Sequence, residues 1–267
     1  MKITNRIFMI ILLTAVICLC GYKLWEMSER YVHEEQINKK IASYRPPDIQ
    51  QTKKTSEEES DETISEEPEE PDKNLPGLQP NKFVTDLRNE VNSDIVGWIR
   101  IPGTRIDYPF VQARDNNYYL RRDVFGGYAL AGTIFMDYRC PKDFTGFNTI
   151  IYGHNMNNGS MFGDLCLFDD EGFFEDNRFG TIFLEDKTYK LEFFACMIVK
   201  EDDVIIYNPY ATPENSDEFL EYVKRFARNY REPETENTEN IATLSTCSYD
   251  GSVRIVLLAN ITNSYIS

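Results

Sequence analysis

One thiol, one imidazole and one guanidinium in this 267-residue chain stand in settings that could do chemistry. Cys247 ends the apolar run Ile241-Ala-Thr-Leu-Ser-Thr-Cys247. Ser248-Tyr249-Asp250-Gly251-Ser252 follows, and then Val253-Arg254-Ile-Val-Leu-Leu258. Asp-Gly between two apolar runs is a strong two-residue hairpin signal. With Asp250-Gly251 as the turn, Tyr249 faces Ser252, Ser248 faces Val253, and Cys247 faces Arg254. Directly opposed residues share one face of a sheet, with Cβ atoms roughly 4.5–5.5 Å apart. A permanent cation beside a thiol favours the thiolate, and its N–H groups can donate to a developing oxyanion. The same spacing also fits an edge hairpin with a surface arginine and an incidental cysteine.

A thiol nucleophile that expels an amine needs a proton-transfer partner. The chain has two histidines. His33 lies just beyond the apolar N-terminus, whereas His154 sits in Tyr152-Gly-His-Asn-Met156, on a glycine-containing bend after an apolar strand. Taken alone, such a histidine fits a structural role as well as a chemical one. Of the six cysteines, Cys18 and Cys20 lie in the apolar N-terminus. The other four are an even number that could pair. Cys166 and Cys196, in apolar surroundings, read as small buried hydrophobes, and Cys140 before Pro141 is left open. CxxC and histidine-pair metal spacings, a glycine-rich phosphate loop and a Gly-x-Ser-x-Gly elbow are all absent. No metal or cofactor is therefore expected.

The elements that must position these groups are mostly strands. Short apolar runs cut by Gly, Pro, Asn and Asp occur at 97–101, 108–112, 132–136, 148–152, 180–184, 189–199, 241–247 and 253–261. Eight strands at this spacing predict an antiparallel barrel or sandwich. Residues 80–92 read as a helix with Phe83, Val84, Leu87 and Val91 on one face. A second helix is expected from Ser216, a fair N-cap, through Asp217 and Glu218 to a stripe of Phe219, Leu220, Val223, Phe226, Ala227 and Tyr230.

The remaining sequence is a lead-in. Ile7 to Tyr22 is 16 residues without a charge, short of the roughly 20 of a membrane span, but Lys23 can snorkel and Tyr22 and Trp25 suit an interface. No good small-x-small cleavage site is present, so residues 1–25 read as an uncleaved single-pass anchor in the cell membrane. Lys2 and Arg6 flank one end while Lys23, Glu26, Glu29 and Arg30 cancel at the other. The positive-inside bias then places the N-terminus in the cytoplasm and the rest of the chain outside. Residues 26–77 read as a charged stalk, helical at first and largely disordered where Glu-rich runs alternate with Ser, Thr and Pro. Residues 78–267 form one globular domain. The net charge is −16, and no basic cluster lies outside the N-terminus, which argues against nucleic acid as a partner.

The motifs together resemble the sortases, and most closely class B. They are Thr243-Leu-Ser-Thr-Cys247, Tyr152-Gly-His-Asn-Met156, Gly97-Trp-Ile-Arg-Ile-Pro-Gly-Thr-Arg-Ile-Asp-Tyr-Pro109, Asp115-Asn-Asn-Tyr-Tyr-Leu120 and Ser160-Met-Phe-Gly-Asp-Leu165. The resemblance covers about 81–261 and includes the helix before the cysteine strand. It implies a mainly β fold: a closed eight-stranded barrel with an N-terminal helix and that long helix. It also implies a membrane-anchored cysteine transpeptidase of Gram-positive bacteria, which cuts a C-terminal sorting signal of secreted proteins through a thioacyl intermediate. The cut protein is then joined to an amine of a lipid II-like peptidoglycan precursor. On that resemblance Cys247 is the nucleophile, His154 the acid/base, and Arg254 the group that positions the signal and stabilises the oxyanion. Asn116, Leu120, Tyr152 and Ser245 line the substrate groove. One departure is the short connection between Cys247 and Arg254. Alternatives are a pilus-polymerising sortase that uses a pilin lysine, a hydrolytic cysteine protease, and a non-catalytic binding module on the same fold.

Overall fold

The computed structural model describes residues 2–46, 81–156, 158–212, 216–234, 240–247 and 253–263. Nine strands form one sheet. They are β1 (Ile95–Arg100), β2 (Asp107–Val111), β3 (Phe135–Met136), β4 (Asn148–Tyr152), β5 (Phe179–Leu184), β6 (Thr188–Val199), β7 (Asn229–Tyr230), β8 (Ile241–Cys247) and β9 (Arg254–Asn263). Their order is β5-β1-β2-β3-β4-β8-β9-β6-β7, and a β5–β6 pairing closes the ring. Eight strands thus make a barrel, as expected, and β7 hangs on β6 outside it. Closure removes exposed sheet edges. All eight expected strands are present. Their arrangement is not wholly antiparallel, because β2 pairs with β3, and β4 with β8, in parallel.

The barrel interior is filled by fully buried Trp98, Phe110, Phe193 and Leu257, among others. The long strand β6 is apolar on both faces because it has two things to cover. Leu191, Phe193 and Cys196 belong to the interior, whereas Phe194 and Met197 pack outward against Phe219 and Val223. A register shift between Phe193 and Ala195 exchanges the two faces, as an extra residue in one strand must. The outward cluster seats α4 (Ser216–Phe226), whose acidic first turn and basic last turn complement the helix dipole. Contrary to expectation, the helix stops before Tyr230. Ala227 N–H makes a final bond to Val223, and Asn229 and Tyr230 then pair with β6. Another helix, α2 (Lys82–Glu90), buries Val84 and Leu87 and sets Phe83 edge-on to Trp98 and Phe183, and the short α3 (Glu171–Asp176) buries Phe174.

The N-terminal helix α1 runs unbroken from Lys2 to Ala42. Its apolar half is long and apolar enough to cross a membrane, with side chains from Ile7 to Trp25 exposed. Its second half docks on the barrel: Ile37 and Ile41 are buried there, and Lys40 Nζ lies 3.8 Å from the Phe125 ring centre. Just beyond the helix, Arg45 pairs with Asp107 at 3.1 Å and Arg100 donates to the Pro46 carbonyl at 2.8 Å. The disorder expected for the acidic part of the stalk concerns residues 47–80, which lie outside the described residues. Both flanks of that segment are tied to the barrel, since Asn81 donates to the carbonyls of Glu185 and Leu184.

Candidate active site

Two adjacent strands bring the histidine to the cysteine. β4 and β8 run in parallel with Ile151 opposite Leu244 and Tyr152 opposite Ser245, and Gly153 N–H donates to the Ser245 carbonyl at 3.1 Å. Two residues further along each chain, His154 and Cys247 stand level at the same end of the barrel. The bend at Gly153 is constrained, because a Cβ there would meet the Phe162 ring at 2.5 Å. Phe162 N–H in turn donates to the His154 carbonyl at 3.0 Å. On the other side of β8, β9 is antiparallel and Cys247 is paired with Arg254. This is the register that the hairpin arithmetic gives, although the Asp250-Gly251 turn itself is outside the described residues.

A cavity of about 520 Å³ opens at this end of the barrel, and Asn116, Leu120, Tyr152, His154, Ser245 and Arg254 are all on its wall. Asn116 and Leu120 come from the β2–β3 connection. Tyr152 and Ser245 are direct strand partners. His154 is half-buried. Burial and the Arg121 cation hold its imidazole below the ordinary histidine value, with Glu34 of α1 acting in the opposite direction. Arg254 donates through Nη2 to Glu201 Oε2 at 2.7 Å. Cys140, Cys166 and Cys196 are free thiols. Burial pushes Cys140 up to about 11 and Cys196 up to about 12, values that leave both unreactive. Cys166, expected to be buried, is half-buried, and burial raises it as well.

Among the residues of the cavity and its floor, Glu201, Tyr207, Asp137 and Arg139 escape sequence reading. Glu201 and Tyr207 belong to the connection between β6 and α4. Asn148 holds that connection in place. It donates to the carbonyls of Ile206 at 2.9 Å and Asn208 at 3.2 Å, and accepts from Thr243 Oγ1 at 2.6 Å. Tyr207 stacks on Tyr152 and bonds Ser245 Oγ at 2.8 Å. Asp137 and Arg139 lie just past β3 and form a paired charge under the cavity. The signal for these two was present as an acid and a base flanking one tyrosine after an apolar run, but it has no periodicity to distinguish it from a solvated loop.

A family model described as a sortase domain matches residues 99–262. Sortase B of Listeria monocytogenes is 37% identical over 158 residues, a match that covers 59% of this chain and 64% of that protein, so just under two thirds of the relative is spanned. The Staphylococcus aureus sortase B–substrate complex superposes with a TM-score of 0.64 at 29% identity, covering 71% of this chain and 88% of that one. A Streptococcus pyogenes class B sortase involved in pilus biogenesis gives a TM-score of 0.61 at 34% identity, over 67% of this chain and 97% of that one. With the family model matching more than half of its length, and the Cys247 and His154 strand ends side by side in a barrel of the same fold, the chain belongs to the sortase family.

Proposed function

We propose that this chain is a class B sortase: a membrane-anchored cysteine transpeptidase that cleaves a sorting signal and passes the new carboxyl group to an amine. The observation that carries the reading is that the backbone positions of His154, Cys247 and Arg254 fall at the ends of three adjacent strands, β4, β8 and β9, with His154 and Arg254 on the wall of one cavity. The Cys247 thiolate attacks the scissile carbonyl carbon, and the electron pair of the C=O moves onto oxygen. Arg254 donates to that oxyanion. As the tetrahedral species collapses, protonated His154 gives its proton to the leaving amine and the C–N bond breaks, leaving a thioester on Cys247. An incoming amine loses a proton to His154, attacks the thioester and releases the thiolate. Asn116, Leu120, Tyr152 and Ser245 hold the peptide in the cavity. The acceptor is a lipid II-like peptidoglycan precursor.

In this reading residues 1–25 cross the membrane, with Lys2 and Arg6 on the cytoplasmic side, and the barrel of 78–267 is extracellular. Residues 26–42 serve as a helical support that leaves the membrane. A second reading has a specific relative behind it. That relative is the Streptococcus pyogenes class B sortase involved in pilus biogenesis, and in this second reading the amine is a pilin lysine. The test is cleavage of a C-terminal-signal peptide library by the full chain in detergent, with and without an added amine. Wild type should cut a defined subset and form the amide adduct, and Cys247→Ala should lose at least ~10³-fold. Wild-type turnover by Cys247→Ala would exclude the mechanism, and the preferred amine separates wall anchoring from polymerisation.

A further inference from the structure

Below the cavity lies a charge pair that the steps above do not use. Asp137 is fully buried, and its carboxylate accepts five hydrogen bonds. Oδ1 accepts from Arg139 N and Nε, both at 2.9 Å. Oδ2 accepts from Arg139 Nη2 at 2.8 Å, Asn116 Nδ2 at 2.9 Å and the Tyr152 hydroxyl at 3.1 Å. Burial alone would raise this carboxyl, but the bonds from Arg139 and Asn116 outweigh it and hold the group below its ordinary value. A buried carboxylate needs a partner, and the guanidinium of Arg139 would suffice. Two of the other donors instead come from Asn116 and Tyr152, on two separate segments of the cavity wall.

The partners are locked as a result. Asn116 Oδ1 accepts from Tyr138 N–H at 3.0 Å while its Nδ2 is held by Asp137. Arg139 also lines the cavity, and its side chain keeps 28% of its surface exposed. Among the described residues, Arg139 Nη1 has no hydrogen-bond partner. A fixed guanidinium with a spare N–H pointing at no protein acceptor is a preorganised donor.

Resting on the reading of this cavity as the peptide groove, we propose that Arg139 is a recognition residue donating through Nη1 to a carbonyl oxygen of the sorting peptide. Asp137 is then the positioning residue that fixes Arg139, Asn116 and Tyr152 together. The acceptor is a neutral main-chain or side-chain amide. Asp137 already neutralises the guanidinium, and Glu201 and Asp202 line the same cavity, so a carboxylate would meet a surplus of negative charge.

The test uses the full chain in detergent and the peptide best cleaved from the library. Arg139→Lys keeps the charge and loses the planar fork, so KM should rise about tenfold, one charge-assisted hydrogen bond's worth, with kcat within about threefold. Asp137→Asn should raise KM at least as much. It should also let the Tyr152 phenol ionise at a lower pH than in wild type, followed at 295 nm, because, of the two main causes that raise it, burial first and the Asp137 carboxylate second, the carboxylate is gone. Loss of the fold would also release the phenol, so circular dichroism at each pH must show the variant still folded for the shift to count. If Asp137→Asn fails to fold, Arg139→Lys and the charge-free pair Asp137→Asn/Arg139→Gln decide. Unchanged KM in both overturns the proposal, as does a fall in kcat with KM unchanged, or selection of Asp or Glu in the cleaved signal. A wild type without Cys247-dependent cleavage sinks the sortase reading itself, and this inference with it.

Discussion

Arg254 Nη2 lies 2.7 Å from Glu201 Oε2, so the arginine whose strand position faces that of Cys247 already holds a carboxylate. The Glu201 side chain is 72% exposed and that of Arg254 only 23%. The pair therefore adds little to stability, on the order of 0–1 kcal/mol. Its consequence is electrostatic. A carboxylate bonded to that guanidinium offsets part of the positive charge next to strand position 247, and with it part of the field that favours a thiolate there. Glu201→Gln should then lower the pH midpoint for iodoacetamide alkylation of Cys247 by somewhat less than about one unit. The Cys247→Ala protein supplies the background from the remaining thiols. Added salt should shrink the difference, and equal midpoints at low ionic strength would refute the argument.

His154 should titrate below an ordinary histidine. Burial and then Arg121 lower it, while Glu34 raises it. Arg121→Gln is expected to raise the midpoint and Glu34→Gln to lower it further. Only two histidines exist in the chain, so a proton NMR titration with His33→Gln as the assignment control reads the shift directly. The linkage sign follows. The folded chain binds a proton at His154 less readily than the unfolded chain. Unfolding therefore takes up a proton as pH falls through the unfolded value of about 6.5. Stability from this site is present above that pH and is lost toward the folded midpoint. Urea unfolding at pH 7.5 and 5 should show a smaller loss in His154→Gln than in wild type, and equal losses would contradict it.

Some of this site was legible from residue spacing and some was not, for physical reasons. The Cys247–Arg254 pairing is local: a two-residue turn fixes a register by arithmetic. Its partner relation, His154 beside Cys247, depends on a parallel pairing between strands some 90 residues apart, and no local signal sets such a register. The eight barrel strands carry their own apolar runs. β7 does not, because Asn229 and Tyr230 leave the helical stripe only when the edge of β6 is there to receive them. Asp137 and Arg139 were missed because a buried ion pair in a loop has the composition of a solvated one. Likewise, the charged lead-in looked like a continuous stalk, whereas Ile37 and Ile41 tie its helical part to the barrel.

That docking makes a final expectation. Ile37 and Ile41 are 9% and 6% exposed, one helical turn apart on the face that meets the barrel. Ile37 lies twelve positions after Trp25, a rise of about 18 Å along the helix. If Trp25 marks the membrane interface, α1 sets the barrel at a fixed height rather than on a loose tether. Replacing both isoleucines with alanine should cost roughly 1–3 kcal/mol in urea unfolding of the barrel, less than a fully enclosed pair because the site can refill with water. Replacing both with aspartate should detach the helix outright. The detached protein should cleave a soluble peptide with a kcat/KM within a fewfold of wild type at neutral pH, with the His154 midpoint lowered because Glu34 has moved away. In vesicles, transfer to a lipid-borne amine should fall much further than transfer to a soluble amine. Equal losses for the two acceptors would mean that the helix stabilises the barrel without setting its height.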